Sequence, residues 1–239
     1  MNNYAPVVFI GFNRPYLSIR SMNNVAQCLD VDKRDCYLFI DGPRRGRADD
    51  VEKTEETYKV AEELKRTKLP RLTIIRREKN YGCRKNIIAA ISEIVNKHGR
   101  CAIVEDDVLV SKTFLSYIDS ALETYKEDKR IWCINAYQNP NLVLPRSLNV
   151  DVYLSPRNMC WGWGVWADRW NAVDFEMTDW PEFIKIPGND ERVHKCGVGL
   201  EAGIWDQYRT QSSWDTECTY HMIKNNLFAV EPRYSLTKN

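Results

Sequence analysis

Glu105-Asp106-Asp107 follow directly on the apolar run Cys101-Ala102-Ile103-Val104. A short apolar run ending in carboxylates reads as a buried parallel strand that stops at the carboxyl edge of a sheet, where open α/β sheets bind ligands. Three adjacent acids repel one another, so folding alone gives no reason to group them. A hard divalent cation does: Mg²⁺ and Mn²⁺ prefer carboxylate oxygen, and such an ion can in turn hold a diphosphate. The competing reading is a solvated acidic turn.

Residues just past the other parallel strands would share that edge. They are Asn13 and Arg14 after the first strand, Asp41 after the second, and Tyr81, Gly82, Arg84 and Lys85 after the third. The lone acid can accept a base N–H. The cations and a helix N-terminus near Gly82 can face phosphate, and the triplet can hold a cation. Together they fit a nucleoside diphosphate with a metal. Taken singly, Arg14 reads as a surface ion pair and Asp41 as a turn former.

Two further signals lie in the second half. Cys160-Trp161-Gly162-Trp163-Gly164-Val165-Trp166 combines indoles with glycines that leave room for a ligand. Indole faces suit the C–H faces of a sugar, whereas buried indoles are core packing. Trp161 or Trp163 is expected at a site, with Trp166 and Trp170 in the core. Ser213-Trp214-Asp215-Thr216-Glu217 opens a helix, where an acid is usually a cap or a dipole partner. The same acid could take a proton from an attacking hydroxyl. Asp215, Glu217 and Asp206 are candidates for that role, in that order.

The elements that position these groups alternate through the first half. Strands are expected at Val7–Phe12, Cys36–Ile40, Leu72–Ile75, Cys101–Val104 and Ile131–Ile134. The helices between them have inner stripes of Leu17, Met22, Val25 and Leu29; of Val51, Tyr58, Ala61 and Leu64, capped by Asp49 or Asp50; of Ile87, Ile88, Ile91, Ile94 and Val95, ending near Gly99; and of Phe114, Tyr117, Ile118, Leu122 and Tyr125. This order predicts an α/β fold with a mostly parallel, doubly wound sheet. The second half loses the rhythm at prolines 140, 145 and 156. It predicts one helix over 214–225 and a strand over 227–230. A single domain is expected, with a nucleotide-binding half (1–135) fused to an acceptor-binding half (136–239).

Composition narrows the classes. A net charge of +1 over 239 residues argues against bulk attraction to nucleic acid or anionic membrane. No apolar run approaches the roughly 20 residues of a membrane span, and Met1-Asn2-Asn3-Tyr4 opens no signal peptide. The eight cysteines are scattered with no CxxC, which points to a reducing cytoplasm. His194, Cys196, Cys218 and His221 have spacing too irregular for a typical zinc site. A Walker A sequence, a G-x-G-x-x-G fingerprint and a G-x-S-x-G elbow are all missing, which argues against P-loop NTPases, nicotinamide dehydrogenases and α/β-hydrolases.

An Asn-Arg after the first strand, an Asp after the second, a basic Gly-containing turn before the third helix and Glu-Asp-Asp after the fourth together resemble the GT-A glycosyltransferases. Within these the chain is most similar to N-acetylglucosaminyltransferase I-like enzymes and their bacterial relatives in polysaccharide synthesis. The resemblance covers nearly the whole chain, most specifically 7–110 and 161–219. It implies a single GT-A domain, its central sheet flanked by helices on both faces. It further implies that Glu105-Asp106-Asp107 is a variant DXD motif, with Asp107 the ligand of Mn²⁺ or Mg²⁺. Arg14 would contact the nucleotide, Asp41 would bind uracil, and Trp214-Asp215 would carry the catalytic base. Such relatives continue past the equivalent of Asn239 with a loop that closes over the donor, so a C-terminally truncated chain is expected. Their N-terminal membrane anchor is not seen, as in a bacterial cytoplasmic version, including one peripheral at the inner face of the membrane.

The resulting expectation is a metal-dependent, inverting transferase of hexosyl or N-acetylhexosaminyl groups. It would move a sugar from a UDP-sugar to a glycan or lipid-linked glycan, with Arg14 and Lys85 assisting the leaving diphosphate. A sugar nucleotidyltransferase shares the sheet and the acids but normally carries a Gly-rich signature after the first strand. A catalytically inactive sugar-binding module would bind UDP-sugar without releasing UDP.

Overall fold

The computed structural model describes residues 4–145, 147 and 149–239; Met1-Asn2-Asn3 lie outside them. The chain runs β1 (Val7–Gly11), α1 (Pro15–Val25), β2 (Cys36–Ile40), α2 (Ala48–Thr67), β3 (Leu72–Arg76), α3 (Gly82–His98) and β4 (Arg100–Glu105). It continues through β5 (Leu109–Val110), α4 (Phe114–Thr124), β6 (Ile131–Asn135), β7 (Val152–Ser155) and β8 (Trp163–Trp166). Four helices come next, α5 (Ala167–Trp170), α6 (Trp180–Phe183), α7 (Asn189–Cys196) and α8 (Leu200–Thr210). The described chain closes with α9 (Asp215–Lys224), β9 (Phe228–Pro232) and β10 (Thr237–Lys238).

Eight strands form one sheet in the order β3-β2-β1-β4-β8-β6-β9-β7. β1, β2, β3 and β4 are mutually parallel, as are β6 and β9. From β1 the chain winds outward through β2 and β3, then returns to place β4 on the other side of β1. That reversal is a topological switch point, and it opens a crevice at the carboxyl ends of β1 and β4.

The strands read as continuous apolar runs because both faces are covered. Val7, Phe9, Leu38, Ile40, Ala102 and Val104 pack with α1, α2 and α4. The alternate residues Val8, Ile10, Tyr37, Phe39, Cys101 and Ile103 pack with α3, α5 and α9. On α3 the residues Ile87, Ala90, Ile91, Ile94 and Val95 are buried at helical spacing, and Gly99 ends the helix at φ 80°. A third cluster, with Trp180, Phe183, Val193, Ile204 and Tyr220, joins α6 to α9.

The structure departs from the sequence reading in several places. Trp163–Trp166 is a strand, and it lies antiparallel between β4 and β6. The strand at 131–135 therefore does not neighbour β4. β8 can enter here because Gly164 faces α4, where an added Cβ would lie 2.8 Å from Ile118. Strands β8, β9 and β7 complete the sheet that the first half begins. Val51 and Leu29, expected inside, are more than half exposed. Asp50 caps nothing: it is fully buried and holds Arg44 and Asn13. Helices α6, α7 and α8 carry no expectation from the sequence. Among the described residues, no helix is long and apolar enough to cross a membrane.

Candidate active site

At the switch point, Arg14 follows β1 and the acidic triplet follows β4. Arg14 Nε donates to Asp106 Oδ2 at 3.1 Å, Nη2 pairs with Asp106 Oδ1, and Nη1 donates to Asp107 Oδ2 at 3.1 Å. One guanidinium thus spans two carboxylates. Burial nevertheless pushes Glu105 up to about 8, with Asp107, Asp106 and Asp215 adding repulsion and Arg14 opposing it. Burial also raises Asp106, to about 6, against the pull of Arg14. Trp163 pairs with Ile103 of β4 and stacks on Trp214 at 5.4 Å, which brings the start of α9 near the end of β4 although Glu105 and Asp215 are 110 positions apart in sequence. Asp215 accepts a hydrogen bond from Ser213 Oγ and makes no side-chain cap bond.

A cavity of about 350 Å³ adjoins the triplet. It is lined by Ile10, Phe12 and Ile87 on its apolar side, and by Arg14, Asp41, Arg44, Asn80, Asn86, Glu105 and Asp106 among its polar groups. Cys83, an exposed residue, also lines it. Arg44 lies over the Phe12 ring at 5.6 Å while pairing with Asp50.

Asp41 lines this cavity as the sequence places it, but its carboxylate is filled. Oδ1 accepts from the Gly42 and Tyr81 backbone N–H groups at 2.9 and 2.8 Å. Oδ2 accepts from Asn80 Nδ2 at 3.0 Å and the Gly82 N–H at 2.9 Å. A carboxylate has about four acceptor sites, so the geometry makes Asp41 the clamp between two loops instead of a free acceptor for a base. The loops must touch: a Cβ on Gly42 would fall 2.4 Å from the Lys79 carbonyl carbon. Gly82 lines the cavity, takes a φ of +78° that glycine adopts without strain, and gives its N–H to Asp41.

Other expected site residues are placed differently. Arg84 lies outside the cavity lining: its Nε donates to Glu217 Oε1 at 3.0 Å, and its Nη2 to the Phe175 carbonyl at 2.5 Å. Glu217 is fully buried in that pairing, and Asp206 is exposed on α8. Lys85 is exposed and outside the cavity lining. Trp163 and Trp214 are buried and stack on each other at 5.4 Å, which removes them from sugar contact. Trp161 is 37% exposed and packs edge-on against Tyr137. Trp166 and Trp170 are in the core.

No protein-family model and no curated protein matches the chain. Solved structures do. S. aureus TarS 1–349 superposes with a TM-score of 0.55 at 12% identity, over 98% of this chain and 59% of that one. Its complex with UDP-GlcNAc gives 0.55 at 13%, over 98% and 57%. Its complex with UDP gives 0.56 at 14%, over 98% and 59%. The fold is that of the GT-A glycosyltransferases. The chain spans less than two thirds of the TarS fragment, and at this identity the likeness is one of fold.

Within this GT-A fold, the described residues contain no group of three His, Cys, Asp or Glu side chains arranged to hold a metal. This includes His194, Cys196, Cys218 and His221. The triplet does fit a weaker demand. Mg²⁺ is commonly held by one or two carboxylates plus substrate phosphates and water, and Asp107 is the part-exposed oxygen donor at the crevice mouth. Arg44, Asn80, Cys83 and Asn86 are cavity residues that strand-end reasoning missed. Asn86 left a signal: it is a polar residue on the buried stripe of α3, one position before Ile87.

Proposed function

We propose that the chain is a metal-assisted, inverting glycosyltransferase that moves a sugar from a UDP-sugar to a glycan or lipid-linked glycan, in surface polysaccharide synthesis. The observation that carries this reading is the meeting of Arg14 and the acidic triplet at the switch point of a GT-A sheet, beside a cavity of about 350 Å³, with the start of α9 packed nearby through Trp163 and Trp214. Structures of TarS with UDP-GlcNAc and with UDP support the choice of donor. The resemblance to N-acetylglucosaminyltransferase I-like enzymes, which rests on Arg14, Asp41, Glu105-Asp106-Asp107 and Trp214-Asp215, supports the same reading.

The nucleoside would occupy the cavity. Asp107, with the diphosphate, would hold Mn²⁺ or Mg²⁺, which supplies charge neutralisation to the leaving group. Arg14 already balances two carboxylates and can turn to the diphosphate once they are otherwise neutralised. Asp215 takes the proton of the acceptor hydroxyl as it attacks the anomeric carbon from the face opposite the leaving group. Trp161, beside Tyr137, offers the exposed aromatic face for a sugar.

A screen of UDP- and GDP-sugars with Mn²⁺ and a glycan acceptor tests this by UDP or GDP release. UDP release from at least one UDP-sugar, dependent on Asp215, is the expected result. Binding without any release across the panel would identify an inactive binding module instead.

A further inference from the structure

Residues 211–214, between α8 and α9, belong to no helix or strand, so their backbone groups need other partners. One side chain supplies them. Gln207, on α8, is 3% exposed. Its Oε1 accepts the Ser213 N–H at 2.9 Å, and its Nε2 donates to the Ser213 carbonyl at 2.8 Å. A primary amide carries a donor and an acceptor side by side, as a peptide group does, so it holds Ser213 much as a neighbouring strand would. The same Nε2 donates to Glu217 Oε1 at 2.8 Å, in the first turn of α9, and Glu217 also accepts from Arg84 of α3. Ser213 and the first turn of α9 are thus fixed to α8 and α3 at once. Ser213 passes this placement on: its Oγ donates to Asp215 Oδ1, whereas Asp215 Oδ2 receives no hydrogen bond among the described residues. One oxygen of the carboxylate is held and the other is open.

We infer that Gln207 and Ser213 are positioning residues for Asp215: Gln207 sets the Ser213 backbone, and the Ser213 hydroxyl fixes the carboxylate so that Oδ2 is presented to the acceptor hydroxyl. This rests on Asp215 being the base, and it adds what aims it. A general base works only within hydrogen-bond reach of the proton it takes, about 2.6–3.2 Å between heavy atoms. A carboxylate free to rotate meets that condition part of the time, and one pinned at Oδ1 meets it more often. Neither Gln207 nor Ser213 need touch donor or acceptor. The alternative is a staple that only joins α8 to α9, in which the Ser213 hydroxyl matters to stability alone.

Turnover, calorimetric UDP affinity with Mn²⁺ and a melting curve test this on Ser213→Ala, Ser213→Thr, Gln207→Leu, Asp215→Asn and the double variant Ser213→Ala/Asp215→Asn. Turnover is read as UDP release from the UDP-sugar that responds in the release screen. Ser213→Ala is expected to lower kcat by about tenfold or more, the scale of a misaimed group, with UDP affinity and melting temperature held. Ser213→Thr keeps the hydroxyl and should restore most of the rate. Gln207→Leu should lower kcat by about 10²-fold at unchanged UDP affinity. It also removes bonds to Ser213 and Glu217, so the Ser213 series carries the test if this variant does not fold. In the double variant the two losses should not add, because both act through one carboxylate. A Ser213→Ala enzyme with the wild-type kcat overturns the inference, as does a double variant in which the losses add in full. A fully active Asp215→Asn, or UDP release from no sugar in the panel, would overturn instead the reading on which it rests.

Discussion

Two loops at the same edge of the same sheet carry buried carboxylates, and they treat them in opposite ways. After β2, Asp41 is 4% exposed and receives four hydrogen bonds, three of them from backbone N–H groups. After β4, Asp106 is 6% exposed and shares a single guanidinium with Asp107, while Glu105 is pushed up to about 8. The first carboxylate is satisfied by its own fold, where it joins two loops. The second group is under-satisfied and mutually repelling, and it gains most from a positive or proton-donating partner. At a sheet edge, residue type alone does not mark the reactive acid. The donors already committed to it do.

The largest expected effect lies on the under-satisfied side. Asp215→Asn should keep the fold and bind UDP nearly as the wild type does, but lose turnover by roughly 10²–10⁴-fold, the scale of general-base catalysis. Its side chain makes no cap bond, so little stability is at stake. A single-turnover rate and a melting curve on the same variant separate chemistry from folding. Near-normal turnover would detach α9 from the mechanism.

Asp41→Asn probes the satisfied side and should be read in stability. The amide loses acceptor capacity and turns an NH₂ towards backbone N–H donors, leaving buried groups unpaired. That costs about 1–3 kcal/mol, or a fall of several degrees in melting temperature for a chain of this size. UDP affinity should fall with it, because the two loops that line the cavity are displaced. Unchanged stability with a selective loss of UDP binding would return Asp41 to direct contact with the base.

A pH slope is expected on the under-satisfied side as well. Glu105 is raised from its usual 4.5 to about 8 in the folded chain. Its folded form therefore holds a proton that the unfolded chain has released. Its stabilising contribution is complete below about pH 4.5 and lost as pH rises through about 8. In the absence of nucleotide and metal, the melting temperature should decline across that window, and Glu105→Gln should flatten the decline. Parallel pH profiles for the two proteins would remove Glu105 from the crowded cluster.

The alternation of strand and helix in the first half is legible because helix and strand periods are distinct there and each crossover is short. β4 ending in Glu105, and its meeting with Arg14, follow from that rhythm. β8 is not legible: Trp163-Gly164-Val165-Trp166 has the composition of a ligand loop, and only the groove between β4 and β6 makes it a strand. The same insertion buries Trp163 against Trp132 and Trp214 and so decides which indoles are free. The role of Asp41 is hidden for a related reason. Two of its four partners are backbone N–H groups of a loop about forty residues away, which no side-chain pattern records.

The contrast between the two loops is tested most directly by titrating UDP into the protein with Mn²⁺ and again with EDTA, for the wild type and for Asp107→Ala. The account predicts that UDP binds much more tightly to the wild type with Mn²⁺ than with EDTA, and that Asp107→Ala removes most of that difference while the protein remains folded. Equal UDP affinity with and without metal in the wild type would contradict it and leave the acidic triplet without a metal-binding role.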